Sequence, residues 1–134
     1  MKFYVKETPT SNPLTSALAV AKEFNSLKSA DQESVWIVGL DAASKTIFKE
    51  CVFLGGINCS VVDPKLIFRR LLGVGAISFI CVHNHPGGQI LPSKEDNLST
   101  KKLREIGKII DLNLLDHIII AGDGYYSYKE NGIL

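Results

Sequence analysis

The sequence predicts an α/β protein of the α+β type, a mixed β-sheet packed by about three helices. Three observations support this. The run "ISFICV" is almost wholly apolar, the pattern of a central strand covered on both faces. Asn12-Pro13 and Asp63-Pro64 each have the form of a helix N-cap followed by proline at the first helical position, and "SKEDNLSTKKLREIGKII" offers a third helix start. Between these lie segments rich in β-branched and aromatic residues, bounded by turn residues.

In chain order, Leu14, Ala17, Leu18, Ala21 and Phe24 recur at helical spacing and predict a helix over about residues 13 to 28. "SVWIVGL" and "KTIFKECVFLGG", joined by the polar turn "DAAS", read as a hairpin, and "NCSVV" as a further short strand. Asp63 and Pro64 open a short helix that ends at Gly73 or Gly75. "ISFICV" runs into the loop "NHPGGQILP", and the helix that follows carries an apolar stripe of Leu98, Leu103, Ile106 and Ile109. "LLDHIIIA" and "YYSYKE", separated by "GDG", close the chain as two strands.

At 134 residues the chain has the size of one domain, expected over residues 1–134 with its core at about 30–134 and one helix before it. Hydrophobic residues at 46% and charged residues at 22% fit an ordinary folded protein. A net charge of +1 gives little support to a dedicated duplex-binding domain, which carries a strongly basic face. Cys51, Cys59 and Cys81 stand in no close pair of the zinc-knuckle or redox kind and read as small buried hydrophobes. "MKFYVKETPTSNP" lacks the apolar core of a signal peptide, and no run reaches the ~20 residues that span a bilayer. The expectation is a cytoplasmic, reduced protein without a membrane partner.

The chemistry concentrates in "HNHPGG". Side chains at i and i+2 of an extended segment point the same way, so His83 and His85 can aim both imidazoles at one point while Asn84 turns away. A catalytic zinc takes three protein ligands and keeps one position open, and the nearest carboxylates downstream are Glu95 and Asp96. Asp96 is the better placed of the two if the helix starts at Ser93, because the Pro-Gly-Gly turn carries its first turn back over the strand end. The same residues also make a serviceable helix start, a serine N-cap with acids near the positive end of the dipole. His117, in "LDHIII", reads as a structurally hydrogen-bonded histidine, and its neighbour Asp116 faces the other side and is a candidate outer partner of the site.

"HNHPGG" followed by "PSKED" resembles the metal motif of the JAMM, or MPN/JAB, metalloprotease superfamily. The closer similarity is to the bacterial RadC-like branch, through "HNHPGG", "LLDHIIIAGDGYYSYKENGIL" and the strand-helix segment before the histidines, over about residues 30–134. The resemblance implies a cytidine-deaminase-like architecture and a Zn²⁺ site held by His83, His85 and Asp96. It implies Glu33, in "ADQESVWIVGL", as the general base, with Glu50 as the alternative, and Ser93 as a hydrogen-bond donor to the oxyanion. Histidine and carboxylate ligands also suit Fe²⁺ or Mn²⁺. Substrates in the superfamily are peptide bonds, often isopeptide bonds to ubiquitin-like tails.

A second reading is a RadC-like, DNA-associated accessory protein, linked to DNA repair by its family name, with a structural or inactive metal site. Its residues would be the basic segments Lys65, Arg69, Arg70 and Lys101, Lys102, Arg104, Lys108. RadC-like proteins commonly carry an N-terminal helix-hairpin-helix segment associated with DNA, whereas one helix is expected before the core in this sequence. A zinc deaminase is disfavoured, since it needs a histidine and a glutamate one residue apart and a following "PCxxC" motif.

Overall fold

The computed structural model describes residues 3–5, 13–55, 62–122 and 124–134. Among the described residues the elements run β1 (Phe3–Val5), α1 (Ala17–Glu23), β2 (Ser34–Leu40), β3 (Thr46–Leu54), α2 (Pro64–Gly73), β4 (Ser78–Asn84), α3 (Lys94–Ile109), β5 (Asn113–Ala121) and β6 (Gly124–Ser127). The strands form one mixed sheet in the order β1-β3-β2-β4-β5-β6, with the expected α+β architecture. Pairing is antiparallel except between β4 and β5, where α3 makes the crossover that parallel neighbours require.

Helices cover both faces of the central strands. Val38 and Leu40 of β2, Ile80 and Val82 of β4, and Ile118 and Ile120 of β5 pack with Ala17, Val20 and Ala21 of α1. On the opposite face Val35, Ile37, Phe79 and Cys81 meet Ile67, Phe68 and Leu71 of α2 and Leu103 of α3. β4, "SFICVHN", lies at the centre, and its odd-numbered residues point toward α2 and α3. His83 continues that row, so the strand periodicity delivers it to the α3 side.

β5 contains a one-residue irregularity with a structural effect. Phe79 pairs with Leu114 but Ile80 pairs with Asp116, so Leu115 is an extra residue in the ladder. Before the bulge the even-numbered Leu112 and Leu114 face α3; after it the even-numbered Ile118 and Ile120 face α1. The bulge thereby turns His117 toward α3 and Asp116 toward α1.

Two of the helix starts lie where the sequence put them. Asp63 caps α2, accepting from the Lys65 amide at 3.0 Å with Pro64 following, and Ser93 caps α3. The first helix is shorter than the expected span 13 to 28. Ser16, in extended backbone, caps it by accepting from the Ala19 amide at 3.1 Å, and the chain tightens into a 3-10 turn over Asn25–Ser29. Pro13 and Leu14 precede the cap; the Leu14 amide donates to the Ser44 carbonyl at 2.8 Å, which ties it to the β2–β3 turn. Asn12 lies outside the described residues, as does most of the expected strand "NCSVV". The last strand ends at Ser127, before the expected Glu130. β1, beside β3 at the sheet edge, is an element the sequence reading did not anticipate.

At the C-terminus of α3 the chain doubles back closely. The Leu112 amide donates to the Gly107 carbonyl at 2.8 Å, Asp111 takes a left-handed φ of 56°, and a Cβ on Gly107 would stand 2.3 Å from the Leu112 carbonyl oxygen. This turn feeds β5 directly alongside β4. Among the described residues no helix is long and apolar enough to cross a membrane.

Candidate metal centre

The end of β4, the start of α3 and the lead-in to β2 bring four polar side chains to one point. The Nε2 atoms of His83 and His85 lie 2.8 Å apart. Asp96 places Oδ1 3.2 Å from His83 Nε2 and Oδ2 3.1 Å from His85 Nε2. Glu33, from the segment leading into β2, brings Oε2 to 3.7 Å from His83 Nε2. The ligand atoms of Glu33, His83 and His85 all lie within 4.8 Å of one another. These side chains are mostly withdrawn from water, with side-chain exposures of 3% for His83, 18% for His85, 14% for Asp96 and 17% for Glu33.

Local sequence explains each placement. After His85 the Pro86-Gly87-Gly88 turn closes with the Gly88 amide on the His85 carbonyl at 3.0 Å, Gly88 taking a φ of 88°. The turn returns the Gln89 carbonyl to 2.6 Å from His85 Nδ1. A carbonyl only accepts, so Nδ1 carries a proton and Nε2 is the nitrogen turned to the site. The His85 amide is itself anchored on the Ile120 carbonyl at 2.9 Å. Asp96 is held by a capping box: its amide donates to Ser93 Oγ at 3.0 Å, and its Oδ2 accepts from the Ser93 amide at 2.8 Å. Cap and candidate ligand are therefore one carboxylate. Glu95 is exposed.

Asn84, between the two histidines, faces the other way as strand alternation requires. It is fully buried, its Oδ1 accepts from the Ser34 amide at 2.8 Å and the Ser34 hydroxyl at 3.0 Å, and its Nδ2 donates to the Gln32 carbonyl at 3.0 Å. These bonds hold the backbone on either side of Glu33.

Behind His83 sits a second buried group. His83 Nδ1 is 2.8 Å from His117 Nε2, and His117 Nδ1 is 2.5 Å from Thr100 Oγ, which donates to the Asp96 carbonyl at 2.8 Å. The Tyr128 ring stacks on His117 with centroids 4.9 Å apart and planes 5° from parallel. Burial first, then the neighbouring His83, pushes the His117 pKa well down, so it is a neutral imidazole. Asp116, on the opposite face, accepts from the His117 amide, the Ser127 hydroxyl and the Lys129 amide at 2.7, 2.5 and 3.0 Å. It reaches His117 through the backbone and no ring nitrogen.

The donor set suits a divalent cation. Two ligands each about 2.0–2.1 Å from one tetrahedral zinc stand about 3.3 Å apart, the order of the separations here. The electrostatics have the same sense. The Asp96 hydrogen bond first, against burial, raises the His85 pKa. Burial would raise that of Asp96, but hydrogen bonds from both histidines and the Ser93 amide outweigh it and hold the carboxyl well below its usual range. The cluster favours positive charge at its centre.

Other candidates resolve differently. Glu50 is fully buried on β3 and sits 3.3 Å from Arg70 Nε, a close ion pair rather than an aligned hydrogen bond. Arg70 thus turns its Nε inward while its side chain stays 32% exposed. Burial pushes the Cys81 thiol up to about 12, leaving it an inert core residue, and raises that of Cys51. Cys59 lies outside the described residues. Sequence reasoning passed over Thr100, although it stands four residues after Asp96 and hence on the same helix face.

A mixed sheet sandwiched by helices, with two histidines at the end of its central strand and a carboxylate in the first turn of the next helix, defines a domain of the JAB type. The model of the RadC-like JAB domain matches residues 14–133, and the chain belongs to that family. It is 45% identical over 101 residues to a UPF0758 protein of Listeria monocytogenes serotype 4b, covering 75% of this chain and 45% of that protein. A UPF0758 protein of Bacillus licheniformis is 45% identical over 103 residues, 77% of this chain and 46% of its own length, and one of Geobacillus kaustophilus is 43% identical over 101 residues, 75% and 45%. The chain spans under half the length of these relatives.

Proposed function

We propose that this chain is a zinc-dependent hydrolase acting on peptide or isopeptide bonds, with His83, His85 and Asp96 as metal ligands. The observation that carries the reading is the convergence of the two Nε2 atoms and both Asp96 oxygens within 2.8 to 3.2 Å. Fe²⁺ or Mn²⁺ would suit the same donors. A bound ion supplies Lewis-acid activation of water and of the scissile carbonyl.

Glu33 then acts as general base, accepting a proton at Oε2 and returning it to the leaving amine, a role worth ~10²- to 10⁴-fold. Asn84 keeps it facing His83. The Ser93 hydroxyl accepts from the Asp96 amide and keeps its own proton to donate to the developing oxyanion, a contact worth about 3 kcal/mol. The substrate on this reading is a peptide or protein.

Metal analysis beside hydrolysis of an isopeptide-linked peptide panel tests the assignment. Wild type should hold about one zinc per chain and His85→Ala very little. Glu33→Gln should keep the metal and lose hydrolysis. If Glu33→Gln loses metal while Asp96→Asn keeps it, the third ligand is Glu33. A second reading, a DNA-associated accessory protein, draws on Lys101, Lys102, Arg104 and Lys108, all exposed on α3. DNA binding that weakens steeply with salt would favour it.

A further inference from the structure

We propose that Thr100 and His117 are positioning residues that lock His83 in the one tautomer able to bind a metal, a role that rests on the proposed metal site. The direction of the chain is fixed at its far end. Thr100 Oγ donates its only proton to the Asp96 carbonyl at 2.8 Å, so toward His117 it offers a lone pair. His117 Nδ1, 2.5 Å away, must then carry a proton. A neutral imidazole has one N–H, so His117 Nε2 is an acceptor, and His83 Nδ1 at 2.8 Å is its donor. His83 Nε2, the nitrogen a metal would take, then faces His85 Nε2 and Asp96.

A histidine that merely filled the core would not need this polarity. Thr100 and His117 are each 3% exposed and His83 is 2% exposed, so water does not offer the rings other partners. Tyr128 holds the plane of His117, and the bulge at Leu115 turns it to this face. The outcome is that each candidate imidazole ligand takes its tautomer from a backbone carbonyl, His85 from Gln89 directly and His83 from Asp96 through two side chains. Asp96 therefore acts twice, offering its carboxylate to the site and its carbonyl to the relay. Outer partners of this kind typically affect metal affinity by about 10- to 100-fold.

The test uses the whole chain labelled with ¹⁵N in its histidine rings, metal-free at a pH of about 8, followed by zinc titration against a competing chelator. The expected result is a protonated Nδ1 at both His83 and His117 and an unprotonated Nε2 at His117. Thr100→Val should leave His83 in a mixture of tautomers and weaken zinc binding about 10- to 100-fold, while Thr100→Ser restores both. His117→Gln, whose amide donates and accepts, should recover more affinity than His117→Phe. An unprotonated Nδ1 on His83 in the wild type, or a Thr100→Val variant with unchanged tautomer and zinc affinity, overturns the proposal. A wild type that takes up no zinc defeats the hydrolase reading, and the ring assignment by itself then decides the relay.

Discussion

α2 and α3 begin with the same device and put it to different ends. At α2, Asp63 is exposed, accepts from the Lys65 amide at 3.0 Å and has Pro64 behind it. At α3, the Asp96 carboxylate bonds the Ser93 amide at 2.8 Å and still meets His83 and His85 at 3.2 and 3.1 Å. A carboxylate has about four lone-pair sites, so satisfying an orphan helix amide leaves room for further partners. Capping and ligation do not compete here; the capping box aims the candidate ligand.

That contrast is broken or sharpened by a graded set of variants. Asp96→Ala should show the largest effect, a loss of at least ~100-fold in zinc affinity by chelator competition. The matching Asp63→Ala should cost about 1 kcal/mol in urea unfolding and leave zinc binding unchanged. Equal damage to zinc binding from both would break the comparison. Ser93→Ala should fall between them, costing about 1 kcal/mol in unfolding and about tenfold in zinc affinity, because the Asp96 amide loses its acceptor while the Ser93 amide stays.

The smallest effect is in pH. Zinc binding should weaken as pH falls, because a proton competes for His85 Nε2 and the Asp96 contact holds that proton more firmly than a free imidazole does. In chelator the His85–Asp96 contact gives the opposite sign. The folded-state pKa of His85 is raised above its unfolded value near 6.5, so its contribution is fully present below that value and is lost as pH rises through the folded one. Metal-free protein should thus melt slightly lower at pH 8 than at pH 6 for this group, and His85→Ala should remove that difference. The same trend surviving in His85→Ala would place its origin elsewhere.

Much of the site was legible because it depends on short periods. A step of two from histidine to histidine in a strand and of three from cap to carboxylate in a helix each fix a direction. Glu33 was not legible that way; no local pattern marks it, and only the resemblance singled it out before the structure brought it to 3.7 Å from His83. The bulge in β5 leaves no trace because "LLDHIIIA" is apolar on both faces, so an extra residue breaks no alternation. The overlong first helix has a related cause. Leu14 and Phe24 are buried core residues at helical spacing, yet they flank α1 instead of belonging to it.

Asn84 looks like a spacer in "HNHPGG", yet its amide grips the Gln32 carbonyl and the Ser34 amide, two bonds that bracket a single residue just ahead of the neighbouring strand. The gap between Glu33 and His83 is consequently spanned by adjacent residues of one rigid strand, rather than by a long loop free to breathe. Asn84 is thus a clasp between the β2 lead-in and the strand that carries the histidine pair, set midway between the two rings.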